Sequence, residues 1–164
     1  MYCFRKTADY DPRIDLIIRQ AIAADADIVA QFNVELARES ENLVLDPARV
    51  KSGVEALLRD PAKGTYFVAE AGGAVLGQLL ITHEWSDWRN GDFWWLQSVY
   101  VRPDARRRGV FQALFDHVLA DAKRQGDVAG LRLYVEKHND PALKTYHRLG
   151  LQETHYHVME LLVP

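Results

Sequence analysis

The passage from Phe93 to Gly126 constrains this chain more than any other. Aromatic and β-branched residues crowd between Phe93 and Val101, which predicts a long, central strand, and Pro103 ends it. After Arg106-Arg107-Arg108-Gly109, the residues Val110, Phe111, Leu114, Phe115, Val118, Leu119 and Ala122 recur at helical spacing as far as Gly126, a natural stop. A strand, a tight turn and an amphipathic helix in that order require a sheet with a helix laid on it, so the class is α/β.

The rest of the chain fits that frame. Leu16 to Ile22 reads as a first strand. Ile28, Phe32 and Leu36 stack on one face of a helix that Asp25 or Asp27 can cap. A second helix starts at Asp46-Pro47, carries Val50, Val54, Leu57 and Leu58, and stops at Asp60-Pro61, because the residue before proline is pushed out of helical geometry. Tyr66–Glu70, the Gly72-Gly73 turn and Val75–Thr82 predict an antiparallel hairpin. The segment Glu84–Asp92, with Trp85, Trp88 and the turn pair Asn90-Gly91, is expected to be a loop. Further strands are expected over Leu131–Glu136 and Glu153–Leu162, with a short helix from Asp140-Pro141 to Gly150 between them. Residues 1–15 are expected to form an irregular extension and residues 16–164 a single domain.

With 164 residues the chain can bury a core without staples. Its one cysteine, Cys3, cannot form an internal disulfide and reads as an incidental thiol. No apolar run is long enough to span a membrane, and Arg5, Lys6, Asp9 and Asp11 interrupt any leader-like stretch, so a cytoplasmic location is expected. A net charge of −3 disfavours a nucleic-acid partner, whose affinity rests on neutralised phosphates. His155 and His157 share a strand face, but no third ligand accompanies them and no metal is expected.

The turn Arg106–Phe111 has the makings of an anion site. A helix N-terminus carries unpaired N–H groups and partial positive charge, a glycine lets backbone approach a phosphate, and arginines add directional donors. Taken alone, the three arginines are also compatible with a solvated surface run. The spacing lacks the GxxxxGK[ST] and GxGxxG patterns of nucleotide-binding loops.

Further along stands Asn139-Asp140-Pro141-Ala142-Leu143-Lys144-Thr145-Tyr146-His147-Arg148-Leu149-Gly150-Leu151. With the arginine turn, this segment resembles the GCN5-related N-acetyltransferase superfamily, in which an Arg/Gln-x-x-Gly-x-Gly/Ala turn follows a long strand and Asn-x-x-Ala-x-x-x-Tyr-x-x-x-Gly-Phe comes later. Arg106, Gly109, Asn139, Ala142, Tyr146 and Gly150 match in order. Phe111 stands where the family has glycine or alanine, so its side chain must turn away from the phosphates into the helix stripe.

The resemblance implies a mixed, mainly antiparallel sheet with splayed central strands and helices on both faces. It implies an acetyl-CoA-dependent N-acyltransferase in which a primary amine attacks the thioester directly in a ternary complex. Ser98, Val99, Tyr100 and Val101 would hold the pantetheine arm through their backbone, and Arg106, Arg107, Arg108, Gly109, Val110 and Phe111 the pyrophosphate. Asn139 and Ala142 would help to seat the coenzyme, and Tyr146 would be the general acid. Glu84 is the leading candidate for general base, with Asp87, Glu39 and Glu35 as alternatives.

The acceptor pocket implied by the resemblance draws on Glu35, Glu39, Glu41, Trp85, Asp87, Trp88 and Arg89. That mixture favours a small cationic amine. Trp88 and Trp94 equally suit a core or a homodimer contact. A non-catalytic acyl-CoA-binding module and a protein lysine or N-terminal acetyltransferase are the competing readings.

Overall fold

The computed structural model describes residues 15–163. Cys3 and all but the last residue of the expected N-terminal extension lie outside the described residues. The chain forms two compact units, one through Tyr134 and one from Val135.

The first unit is a five-stranded sheet in the order β1-β2-β3-β4-β5. Its elements are β1 (Ile17–Gln20), α1 (Ala26–Glu41), α2 (Pro47–Arg59), β2 (Thr65–Ala71), β3 (Ala74–Ser86), β4 (Gly91–Val101), α3 (Val110–Gln125) and β5 (Val128–Leu133). Strands β1 to β4 are antiparallel, and β5 joins β4 in parallel. That last pairing needs a crossover, which α3 supplies.

Local chemistry sets the helix ends. Asp46 accepts the Ala48 N–H at 2.9 Å with Pro47 at the first helical position, a cap worth about 1 kcal/mol. Helix α1 ends at Asn42 in the left-handed conformation, φ 54°, which asparagine tolerates better than most residues. At its start, Asp25 accepts the Ile22 N–H and pairs with Arg19 rather than capping the helix with its side chain.

Alternation along the strands builds two apolar layers. Tyr66, Val68 and Leu80 face α1 and α2, where Ala26, Val29, Ala30 and Val54 complete a buried cluster. Phe67, Leu79 and Ile81 fall on the opposite face with α3, whose His117 ring lies 5.3 Å from Phe67. Buried Leu114, Phe115 and Val118 fill that layer, and truncating Leu114 to alanine is expected to cost about 2–5 kcal/mol. Helices therefore cover both faces of the sheet.

Three segments depart from the sequence-based expectation. The expected loop Glu84–Asp92 is mostly strand: Trp85 pairs with Asp92 and Ser86 with Gly91, leaving a turn at residues 87–90. The hydrogen-bonded ladder outweighs the polar composition there. Strand β5 begins at Val128 and ends at Leu133, earlier than Leu131–Glu136, because Asp127 already accepts the Asp92 N–H and sets the first rungs.

In the second unit, α4 (Asp140–Arg148) forms as expected, and Leu151–Val163 contains no helix or strand, in place of the expected strand over Glu153–Leu162. Alternating residues make a strand only beside a partner, and this backbone pairs with none among the described residues. No helix among the described residues is long and apolar enough to cross a membrane.

Candidate active site

Strands β4 and β5 are paired only over part of β4. Their ladder runs from Asp92↔Val128 to Leu96↔Leu133, while β4 continues to Val101. From Gln97 onward this edge of β4 has no strand partner among the described residues; Arg106 engages the Val101 carbonyl, and the other edge groups can meet an extended ligand. At the same place β4 carries a bulge. Leu80 opposes Gln97 and Gln78 opposes Tyr100, so Ser98 and Val99 together stand against Leu79. Ser98 is left-handed, φ 47°, a strain of about 1–2 kcal/mol for a residue with a Cβ.

The open edge leads into the arginine turn. Pro103–Ala105 form one 3-10 turn, Arg107 has φ 62°, and Gly109 caps α3 at φ 82°. Only glycine adopts that last conformation without steric penalty. The first helical bond joins the Ala113 N–H to the Gly109 carbonyl, so the Val110 and Gln112 N–H groups precede the ladder. The Phe111 ring lies 6.2 Å from Phe115, one turn along α3, and is half-buried on the helix stripe.

The arginines divide into two groups. Arg106 donates to the Val101 carbonyl at 2.9 Å and to Glu39 at 2.6 Å, with its guanidinium 5.5 Å from the Tyr100 ring. Arg107 and Arg108 are exposed and make no side-chain hydrogen bond or ion pair among the described residues.

Glu35 and Glu39 meet at Tyr100, whose hydroxyl donates to Glu35 at 2.6 Å and lies 3.1 Å from Glu39. Burial first, then these carboxylates, holds the Tyr100 phenol above its ordinary range. The Tyr100 hydrogen bond, followed by that from Gln31, holds the Glu35 carboxyl below its own. Both acids thus brace β4 and the arginine turn against α1.

Glu84 is also engaged, accepting from Trp95 Nε1 at 2.5 Å and from Arg132 at 2.8 Å. The Arg132 guanidinium lies 3.5 Å from the centre of the Phe93 ring. Trp85 and Trp88 are 61% and 85% exposed on the β3–β4 hairpin, and Asp87 accepts the Trp88 N–H. From Asp92, opposite Trp85, to Tyr100 is eight residues of β4, roughly 26 Å. The structure therefore does not gather Glu35, Glu39, Trp85, Asp87 and Trp88 into one pocket.

A groove of about 410 Å³ does open between α1 and α2, reaching Ser98. Asn33 and Tyr66 line it beside the bulge and belong to a buried polar chain. Asn33 Nδ2 donates to the Tyr66 hydroxyl, and Gln78 Nε2 donates to Asn33 Oδ1, each at 2.8 Å. Gln78 is fully buried, lies 3.4 Å from the Ser98 carbonyl, and leaves Oε1 without a partner among the described residues.

These residues escaped the sequence reading, although each left a trace. Gln78 interrupts the apolar run Val75–Ile81, and Asn33 continues the face set by Ala26, Val29 and Ala30. A polar residue at a core position is the signal that finds them.

In the second unit, Asn139 Oδ1 accepts the Ala142 N–H at 3.2 Å and caps α4. The helix closes with the Leu151 N–H on the Tyr146 carbonyl and Gly150 at φ 91°. Burial pushes the Tyr146 phenol above its ordinary pKa.

The acetyltransferase (GNAT) family matches residues 30–151. A mycothiol acetyltransferase of Corynebacterium aurimucosum is 33% identical over 115 residues, 68% of this chain. The match takes in 38% of that relative's length. The crystal structure of a possible acetyltransferase from Clostridium difficile 630 is 43% identical, with a TM-score of 0.86 over 91% of this chain and 98% of its own. An aminoglycoside N-acetyltransferase solved in complex with CoA shares the fold at 18% identity, with a TM-score of 0.75 over 93% of this chain and 98% of its own.

Proposed function

Because this chain belongs to the acetyltransferase (GNAT) family, we propose that it transfers an acetyl group from acetyl-CoA to a primary amine by direct attack in a ternary complex. The observation that carries this reading is the β4 edge, without a strand partner among the described residues from Gln97 to Val101 and running into the Gly109 turn. The residues present fit the coenzyme: an open strand edge suits an extended amide-bearing arm, and a glycine-capped helix start with two exposed arginines that make no hydrogen bond or ion pair among the described residues suits a pyrophosphate. Acetyl-CoA would supply the activated acetyl thioester.

The chain's own groups do the rest. The Ser98–Val101 backbone orients the arm, and an N–H of this strand lowers the energy of charge developing on the thioester oxygen. The Val110 N–H and its neighbours in the first turn of α3 hold the pyrophosphate with Arg107 and Arg108, while Arg106 braces the turn from behind. A new N–C bond replaces the C–S bond, the amine gives up a proton, and the departing sulfur takes one. Tyr146, a phenol whose pKa burial raises, is assigned that last donation. Asn139 and Ala142 set the start of its helix.

Glu84 is a less suitable base than its place in the sequence suggests. A carboxylate held by Arg132 and Trp95 has both oxygens engaged, which leaves neither directed at an incoming amine. We assign Glu84 to positioning on the sheet face and route the amine proton to water in the groove.

The names of the relatives point to different acceptors, mycothiol and an aminoglycoside. The reaction class is supported by the family and the acceptor by this chain's own groove. The test is thiol release from acetyl-CoA across a panel of primary amines. Amine-dependent release supports the reading; coenzyme binding with no release from any amine, peptide N-termini and lysine peptides included, replaces it with the non-catalytic acyl-CoA-binding module.

A further inference from the structure

We propose that the acceptor is a primary amine carried on an apolar body of small-molecule size, seated between α1 and α2, and not a polyamine or amino sugar. This rests on the acetyl-transfer reading above and specifies its acceptor. Three observations carry it.

The first is the lining of the groove. Leu36, Leu43, Leu45, Val50, Val54 and Leu57 provide half of its lining residues, and its volume of about 410 Å³ falls within the range of small-molecule sites. Among the described residues none of those lining it is cationic, and Glu41 is the one carboxylate. A body with several amines or hydroxyls would leave polar groups unpaired against these aliphatic side chains.

The second is the fate of the other acids. Glu35 and Glu39 are held by Tyr100 and Arg106, and the exposed tryptophans lie far along β4. Features that made the site read as acidic and aromatic therefore do not converge on the acceptor.

The third is polarity at one end. Asn33, Tyr66 and Ser98 gather where the groove meets the open β4 edge. The Tyr66 hydroxyl accepts from Asn33, a bond that does not use the hydroxyl's own proton. From Asn33 to Glu41 is eight residues of α1, about 12 Å. An acceptor with its amine at the Ser98 end and an apolar body along α1 matches this polarity.

Gly53 offers a direct test. It lines the groove from α2, and a Cβ built on it meets nothing within 4 Å. Gly53→Leu therefore starts from an unobstructed Cβ, is expected to add bulk at the groove wall, and replaces a poor helix former with a good one. With the full chain and saturating acetyl-CoA, kcat/KM is measured for n-butylamine, n-hexylamine, phenethylamine, spermidine and glucosamine. Thermal shift reports amine binding, and calorimetry gives coenzyme affinity.

The expected result is a rise of about fourfold per methylene buried along the alkyl series, with spermidine and glucosamine poorest. Gly53→Leu is expected to raise KM for hexylamine and phenethylamine at least tenfold while leaving acetyl-CoA affinity unchanged. Preference for spermidine or glucosamine overturns the proposal, as does unchanged kinetics for apolar amines in a folded Gly53→Leu. If no amine is turned over, peptide N-termini and lysine peptides included, the acetyl-transfer reading fails by itself. Thermal shifts then decide the groove: stabilisation by apolar amines that Gly53→Leu abolishes upholds it, and none overturns it.

Discussion

Arg106 Nη2 lies 2.6 Å from Glu39 Oε2, tying the turn before α3 to the far end of α1. Both partners are partly exposed, so the pair contributes about 0.2–1 kcal/mol. Its consequence is a division of labour among the three arginines. Arg107→Ala with Arg108→Ala is expected to raise the Kd for coenzyme A about tenfold or more and to flatten its salt dependence. Arg106→Ala is expected to lower stability and to weaken binding less. Calorimetric titrations at two ionic strengths distinguish the variants, and equal losses would remove the division.

Asp25 accepts Arg19 Nη1 at 2.7 Å and the Ile22 N–H at 2.8 Å. The Arg19 hydrogen bond, opposed by desolvation and aided by the backbone bond, holds its carboxyl below the usual range. A carboxyl whose pKa is depressed by folding stabilises the protein above its unfolded pKa, about 3.9, and loses that contribution as pH falls through the folded value. Asp25→Asn is expected to cost about 1–3 kcal/mol at pH 7 and progressively less toward pH 3. Denaturant unfolding at the two pH values checks the convergence.

Gly91 sits at the first rungs joining β4 to its neighbours, and a Cβ there would lie 2.3 Å from the Asp127 carbonyl oxygen. Backbone cannot swing aside as a side chain can. Gly91→Ala is expected to cost about 1–3 kcal/mol, a fall in Tm of roughly 2–12 °C for a chain of this size. Gly53→Ala, with open space around its Cβ, is expected to raise Tm slightly, and scanning calorimetry of the pair compares the two glycines.

A phenol is protonated at neutral pH, and burial raises the Tyr146 pKa further. If it serves as the general acid, Tyr146→Phe is expected to lower kcat by about 10²–10⁴ with a smaller effect on KM. The wild-type kcat should not fall through loss of this proton before pH passes about 10, the ordinary phenol value. A variant with kcat within threefold of wild type would assign the proton transfer elsewhere.

The parts of this fold legible in the sequence are those set by local chemistry. Asp46-Pro47 starts α2 and Asp60 stops it; Gly109 and Gly126 bracket α3; and the stripe from Val110 to Ala122 lies where its spacing places it. Pairing was less legible, since it depends on residues distant in the chain. Trp85 reads as loop until Asp92 is known to lie opposite it, and Glu153–Leu162 reads as strand although nothing described pairs with it. The candidate site divides the same way. The turn and the Asn139–Gly150 segment are contiguous and could be read directly. Glu84 read as a free carboxylate because Arg132 is 48 residues away, and the groove stayed hidden because Asn33, Tyr66 and Ser98 meet only through folding.

The bulge at Ser98 acts as a change of parity. Without the extra residue, Val99 would oppose Gln78, and Tyr100 would point to the α3 side of the sheet, away from Phe32, Glu35 and Glu39. With it, Tyr100 returns to the α1 side, 5.0 Å from the Phe32 ring. Substitutions near this point change one side chain at a time, whereas deleting one residue reverses the facing of every position from there to the end of the strand. In this stretch of β4, length decides which way each side chain faces, and composition decides only what it meets there.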